Sequence, residues 1–276
     1  MTNDNSITPT AVHWLTTTRQ ARVLHLFDSA CNLVNEAGAV LSVLAAEHGR
    51  APFALTLANA PHFPSHFSAE SAVRVGADAL WVGEWHTPWH TAVLWNPRPA
   101  WESIPPAHLT AAWPILHRLL IGREHITPPP ELTHADEVAG WLIGRGPGLT
   151  PAGDDFLMGW LYALCAGGQG TGDEGRWTRD NRQSLVPSPQ SLTRTTTLSA
   201  AYLQAASKGE AAETWHTLVV ALTQPVVEER LTAAAQAILA TGHTSGADAL
   251  AGFVWAGQGG SAGNRITSES PLAYGN

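Results

Sequence analysis

A chain of 276 residues that is 44% hydrophobic and 14% charged can bury a sizeable core, and its length suits two domains or one large one. Fifteen basic against twenty-three acidic side chains give a formal net charge of −8, and no Lys/Arg cluster interrupts that balance. Nucleic acid and anionic membrane are therefore poor partners, and a small molecule or another protein is the better expectation.

The start, Met1 to Thr10, is polar and lacks the apolar stretch of a signal sequence. No later run is long enough to span a bilayer, so the cytoplasm is the expected location. From about Ala21 to Trp101 the apolar residues come in short runs broken by turn residues: Arg22 to Phe27, Ala39 to Leu44, Phe53 to Leu57, Ala72 to Val75, Ala79 to Val82 and Thr91 to Trp95. These read as strands, and Gly/Pro/Asn/His-rich connections such as Asn59 to Phe67 separate them. The expectation for residues 1–104 is a β-rich domain, either barrel or sandwich.

From Pro105 the pattern changes to helices, expected at Ala107–Ile121, His134–Ile143, Asp154–Cys165, Thr195–Ser207, Ala211–Leu222, Val226–Ala240 and Gly246–Ala256. In the sixth, Pro225 suits a first helical position, and Val227, Leu231, Ala234, Ala235 and Ile238 share one face. Gly242 is placed to end that helix. The Gly/Ser/Pro/Arg-rich segment 167–190 and the tail 259–276 carry little apolar content and are expected to be exposed and mobile. The fold class is thus α+β: a β-rich domain over 1–104, a helical domain over 105–258 and a tail.

Two segments of the helical part read alike. Gly148-Leu-Thr-Pro-Ala-Gly-Asp-Asp-Phe-Leu-Met-Gly159 and Gly242-His-Thr-Ser-Gly-Ala-Asp-Ala-Leu-Ala-Gly252 each run from glycine through hydroxyl, glycine and carboxylate into an apolar helix. If the two turns face one another, they line one polar pocket. In the first, Thr150 can cap a helix with Pro151 at its first position. Gly153 then falls in the first turn, where glycine costs up to about 1 kcal/mol relative to alanine, which points to close approach of a ligand or of the other loop. Asp154 and Asp155 suit the positive end of a helix. The helix after them is apolar around most of its circumference, so burial makes those carboxylates costly unless they are paired, hydrogen-bonded or metal-bound. In the second, Ser245 and Asp248 have capping-box spacing, which alone accounts for both. His243 is required by no cap and sits at a crowded polar junction.

Other motifs carry less. His86 and His90 have the spacing of helical zinc ligands, but Pro88 lies between them and no third ligand is evident. Cys31 and Cys165, the only cysteines, sit in apolar surroundings and read as reduced core residues. The twelve tryptophans read as packing. Lys208 is the only lysine, so no Walker-type phosphate loop exists. Serine-hydrolase elbow, Cys-x-x-Cys pair and dinucleotide fingerprint are absent as well.

The run Gly146 to Gly159 together with Gly242 to Gly252 resembles the AllH family, and Thr195-Thr-Thr-Leu-Ser to Gly209 resembles that family's intermediate segment, so the resemblance covers most of residues 20 to 257. It implies a subunit of oxamate carbamoyltransferase, which converts oxalurate and phosphate into oxamate and carbamoyl phosphate in anaerobic allantoin and purine breakdown. FdrA-like and AllG-like subunits are its implied partners.

That chemistry needs anion binding, oxyanion stabilisation and a proton for the departing nitrogen. Backbone N–H groups around Gly148 to Gly153 and Ser245 to Ala247, Gly246 included, could hold the anions, with Thr150 and Thr244 adding hydroxyls. His243 is the candidate acid, and Asp154, Asp155 and Asp248 could orient it or hold a divalent ion. Arg145 stands where many relatives are expected to carry an apolar residue. Two alternatives stand beside this reading: a non-catalytic assembly subunit, and a metal-dependent hydrolase of the ADP-ribosylglycohydrolase-like helical type.

Overall fold

The structure, a computed structural model, describes residues 4–132, 134–167 and 188–257. Most of the 167–190 segment and all of the 259–276 tail lie outside the described residues. The chain divides into two compact units, Met1–Pro99 with Glu210–Glu213, and Ala100–Gly209 with Thr214–Asn276.

The first unit is one curled nine-stranded sheet, which sets aside the sandwich alternative. Its strands are β1 (Ser6–Ile7), β2 (Ala21–Leu26), β3 (Ala30–Asn35), β4 (Val40–Ala45), β5 (Ala54–Leu57), β6 (Val73–Val75), β7 (Ala79–Val82), β8 (Trp85–Pro88) and β9 (Val93–Leu94). Their order is β8-β7-β6-β2-β3-β4-β5-β1-β9, antiparallel except for the β4–β5 and β1–β9 pairs. Helix α1 (Pro9–Thr17) lays Trp14 and Leu15 into a core with Leu33, Leu41, Val43, Leu55, Leu80 and Val82. The Trp14 indole donates to the Ala39 carbonyl at 2.8 Å, so the largest apolar side chain of α1 leaves no orphaned N–H.

Three of these elements lie where the sequence pattern predicts none, apart from the short β1. Helix α1 begins inside the polar start: Thr8 accepts from the Ala11 N–H at 3.2 Å and Pro9 follows it, a cap-and-proline signal in a short segment. Strand β3 carries asparagines, but Asn32 accepts the Ser42 hydroxyl at 2.6 Å across the β3–β4 pair, so both stay buried. Strand β8 contains Pro88, and it is tolerated because β8 is the sheet edge. His86, within β8, stacks on Trp81, and His90 bonds the Asp78 carbonyl at 2.9 Å, so their helical spacing has no helix behind it.

The second unit is helical, and all seven expected helices form: α2 (Pro106–Leu120), α3 (Ala135–Leu142), α4 (Ala152–Cys165), α6 (Thr197–Ser207), α7 (Glu213–Thr223), α8 (Glu228–Leu239) and α9 (Ser245–Gly257), with a short α5 (Pro189–Leu192) beside them. Helix α8 starts later than its proline suggests. Val227 precedes it with extended dihedrals and is 44% exposed, and the Pro225 carbonyl accepts from Arg230 instead. Aromatic rings run in contact through the interior, Trp101 on Tyr162, Tyr162 on Trp215, Trp215 on Phe253 and Phe253 on Trp113. The tryptophans placed here are thus packing, as expected. Both cysteines are buried and free, and burial pushes the Cys31 thiol up to about 12.

The decisive contact is the crossing of α4 and α9. A Cβ added to Gly159 would stand 1.7 Å from the Ala249 carbonyl oxygen, and one added to Gly252 would stand 1.9 Å from that of Phe156. The two helices therefore touch backbone to backbone, and each glycine is the eighth residue of its helix.

Gly252→Ala is expected to force the helices apart, costing about 2 kcal/mol or more and lowering the thermal midpoint by about 5 °C. Gly140→Ala, in α3 where an added Cβ meets nothing within 4 Å, should raise it slightly. Melting both proteins by circular dichroism checks the contrast, and equal shifts would refute the crossing as the constraint.

Candidate functional site

Each of the crossing helices is entered by the same device. The α3–α4 turn brings the Leu142 carbonyl to within 1.9 Å of where a Gly153 Cβ would lie, and the α8–α9 turn brings the Ile238 carbonyl to 2.0 Å from that of Gly246. Close approach of the preceding helix thus requires both glycines. Their N–H groups are engaged, Gly153 donating to the Arg145 carbonyl at 2.9 Å and Gly246 to that of Thr241 at 3.0 Å. Each of these two N–H groups, expected as anion donors, thus already has a backbone acceptor. Gly148 and Gly242 have positive φ, 93° and 61°, and turn the chain toward the helix starts.

The two turns converge. Thr150 Oγ1 and Ser245 Oγ lie 3.2 Å apart. Neither hydroxyl caps its helix, because α4 starts one residue later and α9 one residue earlier than the capping patterns imply. Pro151, not Thr150, takes the position before α4 and makes no side-chain cap. Ser245 is already the first residue of α9, so Thr244 precedes the helix: its carbonyl accepts the Asp248 N–H at 2.9 Å and its hydroxyl bonds the Asp248 carboxylate.

The three aspartates have different surroundings. Asp154 is satisfied: Oδ1 accepts the Gly144 N–H at 2.8 Å, and Oδ2 accepts the Ser199 hydroxyl at 2.7 Å and the Thr195 hydroxyl. It ties the α3–α4 turn to the start of α6, where Thr196 also donates to the Leu149 carbonyl at 2.5 Å. Asp155 is 4% exposed, and its Oδ2 has no hydrogen-bond partner among the described residues. Burial above all holds its pKa well above the usual carboxylate range. The Ser245 hydroxyl pulls it back, the Asp248 charge adds to the rise, Thr150 opposes it, and Asp154 adds slightly.

Asp248, 1% exposed, accepts the Ile126 N–H on Oδ1 at 2.6 Å, while its Oδ2 is likewise without a partner. Burial lifts its pKa from 3.8 to about 6 against the Ile126 and Thr244 hydrogen bonds, with a further push from Glu124. Tyr202 of α6 faces Asp155: burial first and the carboxylate second push its phenol up to about 12.

Thr150, Asp155, Ser245 and Asp248 therefore meet at one place. Asp154 lies beside it but points to the α6 start, and Thr244 supports Asp248. His243 is exposed, with no hydrogen bond or ion pair to the described side chains, and Gly148 is exposed on the first turn. Arg145, in the α3–α4 turn, folds back on the end of α3, over the Trp141 ring at 4.2 Å and onto the Trp141 carbonyl. Sequence reasoning missed Tyr202, Thr195 and Ser199 as neighbours of the aspartates, although Thr195-Thr-Thr-Leu-Ser is a hydroxyl-rich helix start, and nothing local flagged Ile126. Among the described residues, no group of three or more His, Cys, Asp or Glu side chains is disposed to hold a metal ion.

Residues 142–257, which contain both turns and α4, α6 and α9, match the family model described as oxamate carbamoyltransferase subunit AllH, and residues 5–93 match the AllH family N-terminal domain. The chain belongs to the AllH family. As an AllH protein it is a subunit of an oxamate carbamoyltransferase, and hence a component of a multi-subunit complex. No solved structure matches the chain. Among the described residues, no helix is long and apolar enough to cross a membrane.

Two outcomes separate these aspartates. Asp154→Ala strands three donors and should cost about 2 kcal/mol or more in urea unfolding. Protonation of Asp248 favours the folded chain in full below about pH 4, and that contribution is lost as the pH rises toward 6, because the folded pKa is the raised one. Asp248→Asn should therefore be more stable than the parent at about pH 7 and lose that advantage at about pH 4. A stability difference independent of pH would rule out a buried protonated carboxyl.

Proposed function

We propose that this AllH chain carries part of the active site of an oxamate carbamoyltransferase that uses oxalurate and phosphate, and that the Thr150–Ser245 junction over Asp155 and Asp248 is that part. The observation that carries the reading is the convergence itself. Two turns 95 residues apart place their hydroxyls 3.2 Å from one another beside two buried carboxyls, each with an oxygen left unpartnered. Capping the helices explains neither the hydroxyl pair nor the unpartnered oxygens, and an arrangement serving only assembly has no need of them.

In the reaction, a phosphate oxygen attacks the ureido carbonyl carbon of oxalurate. The bond from that carbon to the inner nitrogen breaks, and the proton carried by the phosphate ends on that nitrogen, giving carbamoyl phosphate and oxamate. Asp155, held protonated by its surroundings, is placed to pass and regain that proton. The Thr150 and Ser245 hydroxyls, released from an uncharged Asp155, donate to the phosphate, and the N-termini of α4 and α9 add their dipoles. Asp154 positions the first turn through Gly144 and α6. The partners are FdrA-like and AllG-like subunits, and the setting is cytoplasmic purine breakdown.

The test is carbamoyl transfer by the reconstituted complex. Asp155→Ala and Ser245→Ala chains that still assemble should lose about a hundred-fold or more in kcat/KM. His243→Ala should lose less than about three-fold, in keeping with its exposure. Full activity in the assembled Asp155→Ala complex would leave the chain a scaffold.

A further inference from the structure

We infer that Asp155 and Asp248 form a clamp for a carbamoyl group, the Asp155 carboxyl donating its O–H to the carbonyl oxygen and the Asp248 carboxylate accepting an N–H through the Oδ2 that no group among the described residues satisfies. The inference rests on the transferase reading for the class of ligand, and assigns its atoms to side chains.

The geometry starts from two carboxyls that occupy the same position in matching helices, each the second residue after the glycine that enters its helix, Gly153 for Asp155 and Gly246 for Asp248. Both are more than nine-tenths buried, and both keep one oxygen without a partner, a costly arrangement for a site with nothing to bind. The groups that act on the pair are Asp154 and Thr150 from the first turn and α4, Thr244 and Ser245 from the second turn and α9, Tyr202 from α6, and Ile126 and Glu124 from the segment after α2. None of them is a cation. Burial and the Asp248 charge both disfavour ionisation of Asp155, so the pair is most stable with one carboxyl protonated.

The surroundings decide which. Asp248 accepts a backbone N–H at 2.6 Å on its first oxygen, an interaction that favours the charged form, whereas among the described residues no backbone N–H donates to Asp155. The pair thus offers one O–H donor and one carboxylate acceptor side by side. A planar primary amide, an amino group on a carbonyl, presents the complement, one acceptor and one donor. Carboxylate and fully ionised acyl phosphate groups bring acceptors only and meet Asp248 unfavourably, so selection falls on the amide end of a ligand.

Binding reads this without turnover. Carbamoyl phosphate and acetyl phosphate share the carbonyl and the phosphate and differ by an amino group against a methyl group. Calorimetric titration of the full chain, alone and with its partner subunits, should give about ten-fold or more tighter binding of carbamoyl phosphate. Asp248→Ala should reduce that preference to within about two-fold. Asp155→Asn should keep it, because the amide N–H still donates to the carbonyl, while Asp155→Ala should lose it; thermal unfolding verifies that each variant is folded. Equal affinity for the two phosphates, no binding of either, or loss of the preference in folded Asp155→Asn would overturn the clamp. A chain that shows the preference in a complex that transfers no carbamoyl group sinks the proposed function and leaves the clamp standing. An active complex whose Asp155→Ala and Asp248→Ala chains keep the preference does the reverse.

Discussion

The absence of two side chains, at Gly159 and Gly252, governs the helical unit. Helices that pack through ordinary side chains hold their axes about 8–10 Å apart, and a glycine contact lets the backbones meet. Here that contact falls at the eighth residue of both helices, so each N-terminus stands only two turns from the crossing. Entry is compressed in the same way, with Gly153 seated on the end of α3 and Gly246 on the end of α8. Four glycines thus act as spacers of zero width, and the 3.2 Å separation of Thr150 and Ser245 is their result.

Compression also sets the electrostatics. Helix N-termini favour negative charge, and isolated aspartates near them would be ordinary stabilising residues. Driving both N-termini into one buried place opposes that effect with desolvation and mutual repulsion, and for Asp155 and Asp248 the opposition wins. Asp154 is surrounded by three donors, from Gly144, Thr195 and Ser199. Adjacent identical residues on one helix therefore do unlike work: one is a structural tie across the α3–α4 turn and α6, and its neighbour is held with an oxygen to spare.

Much of this architecture was legible in the residues. The change from short apolar runs to helical periodicity near Pro105 gave the mixed fold, because strand and helix periods differ most where segments are long. The paired glycine-hydroxyl-carboxylate turns pointed to the junction where Thr150 meets Ser245, since glycine in a first helical turn needs a reason. What stayed hidden was non-local. Asn32 in β3 is polar on its own and buried only with Ser42 beside it; Pro88 breaks an interior strand but not an edge. Which hydroxyl caps and which is released turned on a single-residue shift in where α4 and α9 begin, below what pattern resolves. Tyr202 reaches Asp155 through the fold alone, and so carried no signal.

The two backbones come closest at the glycines, and the rings of Phe156 and Trp160 interlock with Trp255 beside that point. The crossing is thus the fulcrum of a pair of scissors. From that fulcrum to either helix start is about 10 Å, at about 1.5 Å per residue. Swinging one blade by about 10° would carry its tip about 2 Å, enough to part the hydroxyls while the aromatic interior behind the fulcrum stays in register. The same four absent methyl groups that draw the jaws together thus set how small a rotation would part them.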